Sequence, residues 1–470
     1  MSELSPQGTS LAQSVSNLWA WIHTWEDDDG GIHGPVVYHH RDNLKVIRPD
    51  TWTQSASLLG LLNLYNSSGD KDFLIAASRL GEFLVSNYIG EIHTFRDSNF
   101  DRKPLGQPAL EGNAMACLAL IELAKALPSG GERFKETAED NIMEFLVKQW
   151  DPRTKSFAMT YHGGSAHIHN KSAMAILAIL AKEYYRRGVE LVDRYAVPTA
   201  EYTLSCQVAA GNYAGAMPYA DRDSNYRTLY SLVTALGLLG VYEATGNEAY
   251  LSGVVKLMNH LAKFVDRKTG LICHAHRVGY PQWVTDSILY LFVTKKLYEE
   301  KQIVIETDFS GLLAKVLAYQ YRSGAFPLSL GFEDLWYRDV MKARPEISRW
   351  RDILPTPGMN SWNFWFLSAL LRTGEEIPHS KIAFPHRLVS AKEEKEGPFE
   401  ILDGEGEIRI VSLLNGSVAY LASKHDHVPT ICRMSERTSY WRTLDSIMRY
   451  PAPLRRIILA APRLGLKLKR

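Results

Sequence analysis

Six short runs within the first 363 residues place carboxylates, imidazoles or amides beside aromatic side chains. They are Asp50-Thr51-Trp52, Glu111-Gly112-Asn113, His167-Ile168-His169-Asn170-Lys171, Asp223-Ser224-Asn225-Tyr226-Arg227, Trp283-Val284-Thr285-Asp286 and Asn360-Ser361-Trp362-Asn363. Capping of a following helix accounts for Asp50 and Asp223 taken singly, because Asp accepts from the first free backbone N–H groups. Capping does not account for Glu111, His169 or Arg227. Two kinds of chemistry fit these residue types. A pair of carboxylates, drawn from Glu111, Asp223 and Asp286, can cleave a glycosidic bond when they stand about 5–9.5 Å apart. Alternatively, His169, Tyr161 or Tyr226 can take a proton from a sugar carbon, while Arg227 and Asn170 neutralise a substrate carboxylate. Around either centre, ring faces to stack on and polar edges to orient hydroxyls are expected from Asp50, Trp52, Asn113, Tyr161, Asn170, Tyr219, Tyr226, Arg227, His274, His276, Trp283 and Trp362.

The pairs His167/His169 and His274/His276 alternate along extended stretches, which sets both rings of a pair on one face. Two such pairs resemble zinc half-sites, yet hydrogen bonding to sugar hydroxyls needs the same placement, so no metal is expected. No glycine-rich phosphate loop is present, which argues against nucleotide-dependent transfer, and no cofactor is expected. A formal net charge of +1 gives no drive toward nucleic acid. Cys117, Cys206, Cys273 and Cys432 are widely spaced, as free thiols of a reducing compartment would be. Met1 to Leu18 lacks the basic and apolar regions of a signal peptide, and no run of eighteen apolar residues occurs. A cytoplasmic location is the default expectation.

The elements that position the six runs recur about every 59 residues. LLGLLNLYNSSGD (58–70), LAILAKEYYRRG (177–188) and ALGLLGVYEATGN (235–247) each carry a Tyr four residues before a Gly, and further copies fall at 114–132, 287–300 and 363–375. Each copy is apolar around most of its circumference, the mark of a helix buried on most sides. A short glycine turn and an amphipathic helix follow each of the first five copies, and the first amphipathic helix is 11–25. Long glycine-aromatic linkers then lead into the next apolar helix. Six such hairpins, with all the long linkers at one end, predict a closed ring of buried helices inside a ring of half-exposed ones. Closure requires Trp19 or Trp21 on the first helix to meet the last hairpin, near 360–375.

This pattern resembles the six-hairpin (α/α)6 toroids over about residues 10–375, on architecture alone. The resemblance implies a mainly α fold whose barrel, 10–376, carries the site at the mouth made by the long linkers. It also implies a carbohydrate-active enzyme, with glycoside hydrolysis as the first expectation because of its frequency on this fold. Uronate elimination or sugar epimerisation by His or Tyr is the alternative, and glycan binding without turnover a further one. The EDDD run at 26–29 resembles the acidic run of protonating terpene cyclases, a fourth reading. Beyond the barrel, alternating segments predict a small antiparallel β module at 395–433, followed by a basic tail, 434–470. Residues 451–470 carry six positive and no negative charges, which suggests reversible contact with an anionic membrane at its inner face.

Overall fold

A computed structural model describes residues 10–23, 25–26, 30–32, 36–39, 43–46, 51–96, 109–157, 167–186, 188–221, 226–267, 269–276, 282–320, 324–327, 329–330, 357–380, 397–404, 407–412 and 418–423. Twelve α-helices alternate between two rings among these residues. The outer ring is α1 (Leu11–His23), α3 (Lys71–Ser86), α5 (Glu132–Asn141), α7 (Val197–Ser205), α9 (Glu248–Leu261) and α11 (Phe309–Ala318). The inner ring is α2 (Thr51–Ser68), α4 (Leu110–Ala126), α6 (His169–Arg186), α8 (Thr228–Thr245), α10 (Val284–Lys301) and α12 (Pro357–Ser368). Each inner helix packs against the next, and α12 returns to α2, so the ring is closed. Inner helices come close where side chains are missing. A Cβ on Gly60 would lie 2.3 Å from the Phe364 ring, and one on Gly237 would lie 2.7 Å from Ala173. The predicted closing contact is present: Trp19 on α1 stacks on Phe364 of α12, with ring centroids 5.4 Å apart.

The short turns lie opposite the mouth. Gly69 and Gly246 adopt left-handed φ and donate to the carbonyls of Tyr65 and Tyr242, as the Tyr–Gly rhythm requires. The third pair departs from that rhythm: Gly188 donates to Glu183 rather than Tyr184. After the last hairpin, residues 375–380 run along α1 and α3, where Ser380 bonds Gln13, Ser16 and Asn17, and His379 bonds Asp70.

The other end is built by one device used six times. After each outer helix the chain makes a tight reversal and returns with a fully buried apolar residue: Ile32, Phe95, Phe157, Met217, Ile272 or Phe326. The fourth residue of the following inner helix bonds that residue's backbone. Gln54 both donates to and accepts from Ile32, and Asn360 does the same with Phe326. Asn113 accepts from the Phe95 N–H, and the Ser287 hydroxyl accepts from the Ile272 N–H. Ser172 and Ser231 donate to the carbonyls of Phe157 and Met217. Two residues before each apolar anchor stands a residue with positive φ: Gly30, His93, Lys155, Gly215, Gly270 and Gly324. Left-handed φ makes the reversal, the anchor plugs the space between the rings, and the buried amide or hydroxyl clamps it.

Five short strands form one antiparallel sheet in the order β1 (Val36–His39), β2 (Asn43–Val46), β9 (Gly397–Gly404), β10 (Glu407–Ser412) and β11 (Val418–Ser423). Asn43 faces Pro398 and Leu44 faces Gly397 in register, so the first mouth linker and the late strands share a sheet. Three two-residue ladders complete the strands: β3 (Tyr88–Ile89) with β4 (Thr94–Phe95), β5 (Trp150–Asp151) with β6 (Ser156–Phe157), and β7 (Gln282–Trp283) with β8 (Ser329–Leu330). No helix among the described residues is long and apolar enough to cross a membrane.

Candidate active site at the barrel mouth

The clamps fix which way each inner helix faces. Positions two residues before and after a clamp lie about 160–200° around the helix from it, on the face turned away from the linker and toward the barrel axis. Before the clamps these positions are Trp52, Glu111, Asn170, Leu229, Thr285 and Gly358; after them they are Ala56, Met115, Met174, Val233, Leu289 and Trp362. In the first tier Trp52, Glu111 and Asn170 keep partial exposure, and Tyr230 and Met359 are the half-buried neighbours on α8 and α12. In the second tier the five apolar side chains are buried and Trp362 alone remains half-buried.

Polar atoms without a partner among the described residues gather at this end. They include Glu111 Oε2, Asn170 Oδ1, Trp283 Nε1, Thr285 Oγ1 and Trp362 Nε1. Buried polar groups normally find partners, so this concentration makes the mouth the candidate site. The two carboxylates in the first turns of inner helices are both engaged. Lys171 Nζ on α6 lies 2.5 Å from Glu111 Oε1 on α4. His274 Nδ1 lies 3.0 Å from Oδ2 of Asp286, which is fully buried on α10. Burial raises the Asp286 carboxyl above its ordinary pKa, while His274, the Leu229 amide and Arg227 pull it back. The indole of Trp283 stacks on the His274 ring at 3.7 Å between centroids. Backbone bonding fixes this corner: Thr228 donates from its amide to the His274 carbonyl and from its hydroxyl to the Cys273 carbonyl.

Trp52 on α2 and Trp362 on α12, the next inner helix after α10, meet edge to face at 5.9 Å. Gly358 makes room for them, because a Cβ there would lie 3.2 Å from the far edge of Trp52. Tyr219 and Tyr230 lie ring against ring at 5.0 Å, and Tyr230 sits edge-on to His274. Tyr226 stacks between Tyr213 and His276. Arg227 bridges to Ala275 through the backbone.

Three of the expected site residues make their contacts within the protein. The Asn113 amide serves the Phe95 N–H, the Ala109 carbonyl and Asn141. His169 is fully buried at the start of α6, with its ring 6.1 Å from Tyr202 of the outer helix α7. Pairing of its strand with residues 219–221 turns the ring outward, and burial holds its pKa down at about 4. His276 likewise turns to the outer ring, where its Nδ1 is 3.1 Å from His260 Nε2. Burial, followed by the nearby histidines, holds His276 at about 3, and burial holds His260 at about 4. Among the described residues no three His, Cys, Asp or Glu gather as a metal site would need. Glu26 of the acidic run is bonded by His23, and 27–29 lie outside the described residues. Asp50, Tyr161 and Asp223 also lie outside them. What the sequence reading missed is Lys171 as the partner of Glu111, together with Thr285, Gly358 and the clamps.

No protein-family model matches the sequence, and no curated protein sequence matches it either. Solved structures do. Cellobiose 2-epimerase from Bacillus thermoamylovorans B4167 superposes with a TM-score of 0.56 at 12% identity, over 76% of this chain and 98% of that one. An unsaturated glucuronyl hydrolase specific for heparin gives 0.55 at 12% identity, over 77% and 95%. An α-mannanase of Bacteroides thetaiotaomicron gives 0.54 at 11% identity, over 77% and 95%. With twelve helices among the described residues, set in two rings of which the inner one is closed, the chain has the six-hairpin (α/α)6 toroid fold that these three enzymes share.

Proposed function

We propose that the chain is a carbohydrate-active enzyme that moves a proton on a sugar, as an epimerase or isomerase. The observation carrying this reading is the buried Asp286–His274 pair stacked under Trp283. Burial opposes ionisation of Asp286 while His274 and Arg227 favour it; in the ionised form it accepts from Nδ1 of His274, which leaves the lone pair on Nε2, where it acts as a base. On an open-chain aldose, Nε2 takes the C2 proton and the C–H electrons move into the C1 carbonyl. Return of a proton to the other face of C2 gives the epimer; return to C1, with the O2 proton passing to O1, gives the ketose. Neither outcome needs a further reactant. Arg227 favours the ionised Asp286, and the Trp52–Trp362 wall supplies a ring face for stacking. The fold's occurrence in a sugar epimerase supports the same reading. The test is incubation with cellobiose and with mannose in deuterated water. Deuterium at C2 of recovered sugar, with chain length unchanged, is the expected result; sugar recovered without deuterium overturns it.

Glycoside hydrolysis is the second reading, favoured by one observation: Glu111 Oε2 has no partner among the described residues, while Lys171 holds Oε1. Glu111 stands on α4 and Asp286 on α10, three steps apart around the six-membered inner ring. New reducing ends in the same incubation would identify hydrolysis. An ultraviolet-absorbing product would identify elimination from a uronate. Binding without any turnover would leave a glycan-binding protein. For location, the proposal is a cytoplasmic enzyme of glycan biosynthesis touching an anionic membrane through 451–470. That contact predicts salt-sensitive sedimentation with anionic liposomes, lost when the chain ends at Tyr450.

A further inference from the structure

The two tiers of axis-facing residues limit how far anything can enter the barrel. The first tier is partly open; one helical turn below it, Ala56, Met115, Met174, Val233 and Leu289 are sealed and apolar. A turn is about 5.4 Å, the depth of one pyranose ring and no more. The only half-buried side chain at the lower level is Trp362, whose indole N–H has no partner among the described residues and stands below the Trp52 edge. The two carboxylates of the first turns are already matched, Glu111 by Lys171 and Asp286 by His274. Lys171 neutralises Glu111, and a His274 that acts as a base leaves Asp286 negative, so nothing among these four offsets an acidic sugar, and a buried charge without a partner is costly.

Resting on the carbohydrate reading above, we infer that the mouth is a blind pocket for one neutral sugar ring, entered end-on. The ring lies against the Trp52–Trp362 wall, a hydroxyl reaches the Trp362 N–H, and Glu111, Asn170 and Thr285 serve the hydroxyls of its rim. A chain therefore binds by its terminal residue, with the rest directed outward.

Tryptophan fluorescence titration of the full chain tests this with mannose, mannobiose and mannotetraose, the series glucose, cellobiose and cellotetraose, and glucuronic acid. End-on binding predicts less than about a threefold gain in affinity from disaccharide to tetrasaccharide in the series that binds, and glucuronic acid weaker than glucose or mannose by at least about tenfold. A steady gain with each added residue means a cleft crossed by the chain and overturns the inference, as does tighter binding of glucuronic acid. Either result leaves the carbohydrate reading standing, whereas no binding by any of these sugars overturns both. Asn170→Tyr, at a position already partly open, fills the first tier and is expected to weaken the sugar that binds by at least about tenfold at unchanged Tm. Undiminished binding by that folded variant also overturns the inference.

Discussion

At the scale of single residues, the mouth separates groups that face the axis from groups that look alike in sequence but face outward. His274 and His169 are both histidines beside an inner helix, yet one is held by Asp286 and the other packs toward Tyr202. His274→Ala and Asp286→Asn are therefore expected to lower kcat by at least about 10²-fold with little change in Tm, measured by turnover and thermal unfolding. His169→Phe is expected to leave turnover within a few fold. Its effect should appear in acid instead. The pKa of His169 falls from 6.5 unfolded to about 4 folded, so between those values the unfolded chain binds more protons and stability drops as pH falls. Removing the imidazole removes that contribution, and a plot of Tm against pH should flatten below about pH 6.5. An unchanged slope would count against the buried, neutral placement of His169.

At the scale of elements, the clamps were open to view in the sequence and were not read. Gln54, Asn113, Ser172 and Ser231 recur at equal intervals of 59 residues. Their types differ, and each can also serve as a cap or a ligand, so spacing alone did not single them out. The helices were easier, because an apolar circumference and a glycine stop signal leave few alternatives. The HIH run shows the limit: alternation set both rings on one face but could not say whether that face was the axis or the outer ring. Pairing with residues 219–221, a contact made across about 50 positions of sequence, decided it. Ser231→Ala, which leaves the Met217 carbonyl buried and unsatisfied, should cost about 1–3 kcal/mol in denaturant unfolding. Lys155→Gly should act in the opposite direction, since Lys155 sits at φ 54° where the other turns mostly carry glycine. A gain of up to about 1 kcal/mol is expected.

At the scale of the whole molecule, stability depends on closing the ring, because the first outer helix must find the last inner one. Phe364 fills the gap at Gly60 and stacks on Trp19. Phe364→Ala should cost about 3–5 kcal/mol and should also loosen α1. Hydrogen exchange at Leu11–His23 is expected to accelerate in this variant more than exchange in α6 or α8. Acid should act on the wild-type molecule through three buried histidines together. His169, His260 and His276 all have folded pKa values near 3 to 4, so stability is full above about pH 6.5 and declines as pH falls toward those values.

The sixfold reversal-and-clamp has a consequence for how such a protein can change. Each linker is pinned at its start by a left-handed turn and a buried anchor, and at its end by an inner helix. From anchor to clamp the chain spans as few as 14 residues at Met217–Ser231 and as many as 34 at Phe326–Asn360, with the same two hydrogen-bonded ends. The number of residues between those ends varies more than twofold, from 14 to 34, while the clamp at each end is kept. The mouth is thus an exchangeable faceplate: segments can be lengthened, swapped or diversified one at a time while the double ring behind them keeps its stability. A new substrate preference on this scaffold can arise by insertion rather than by repacking.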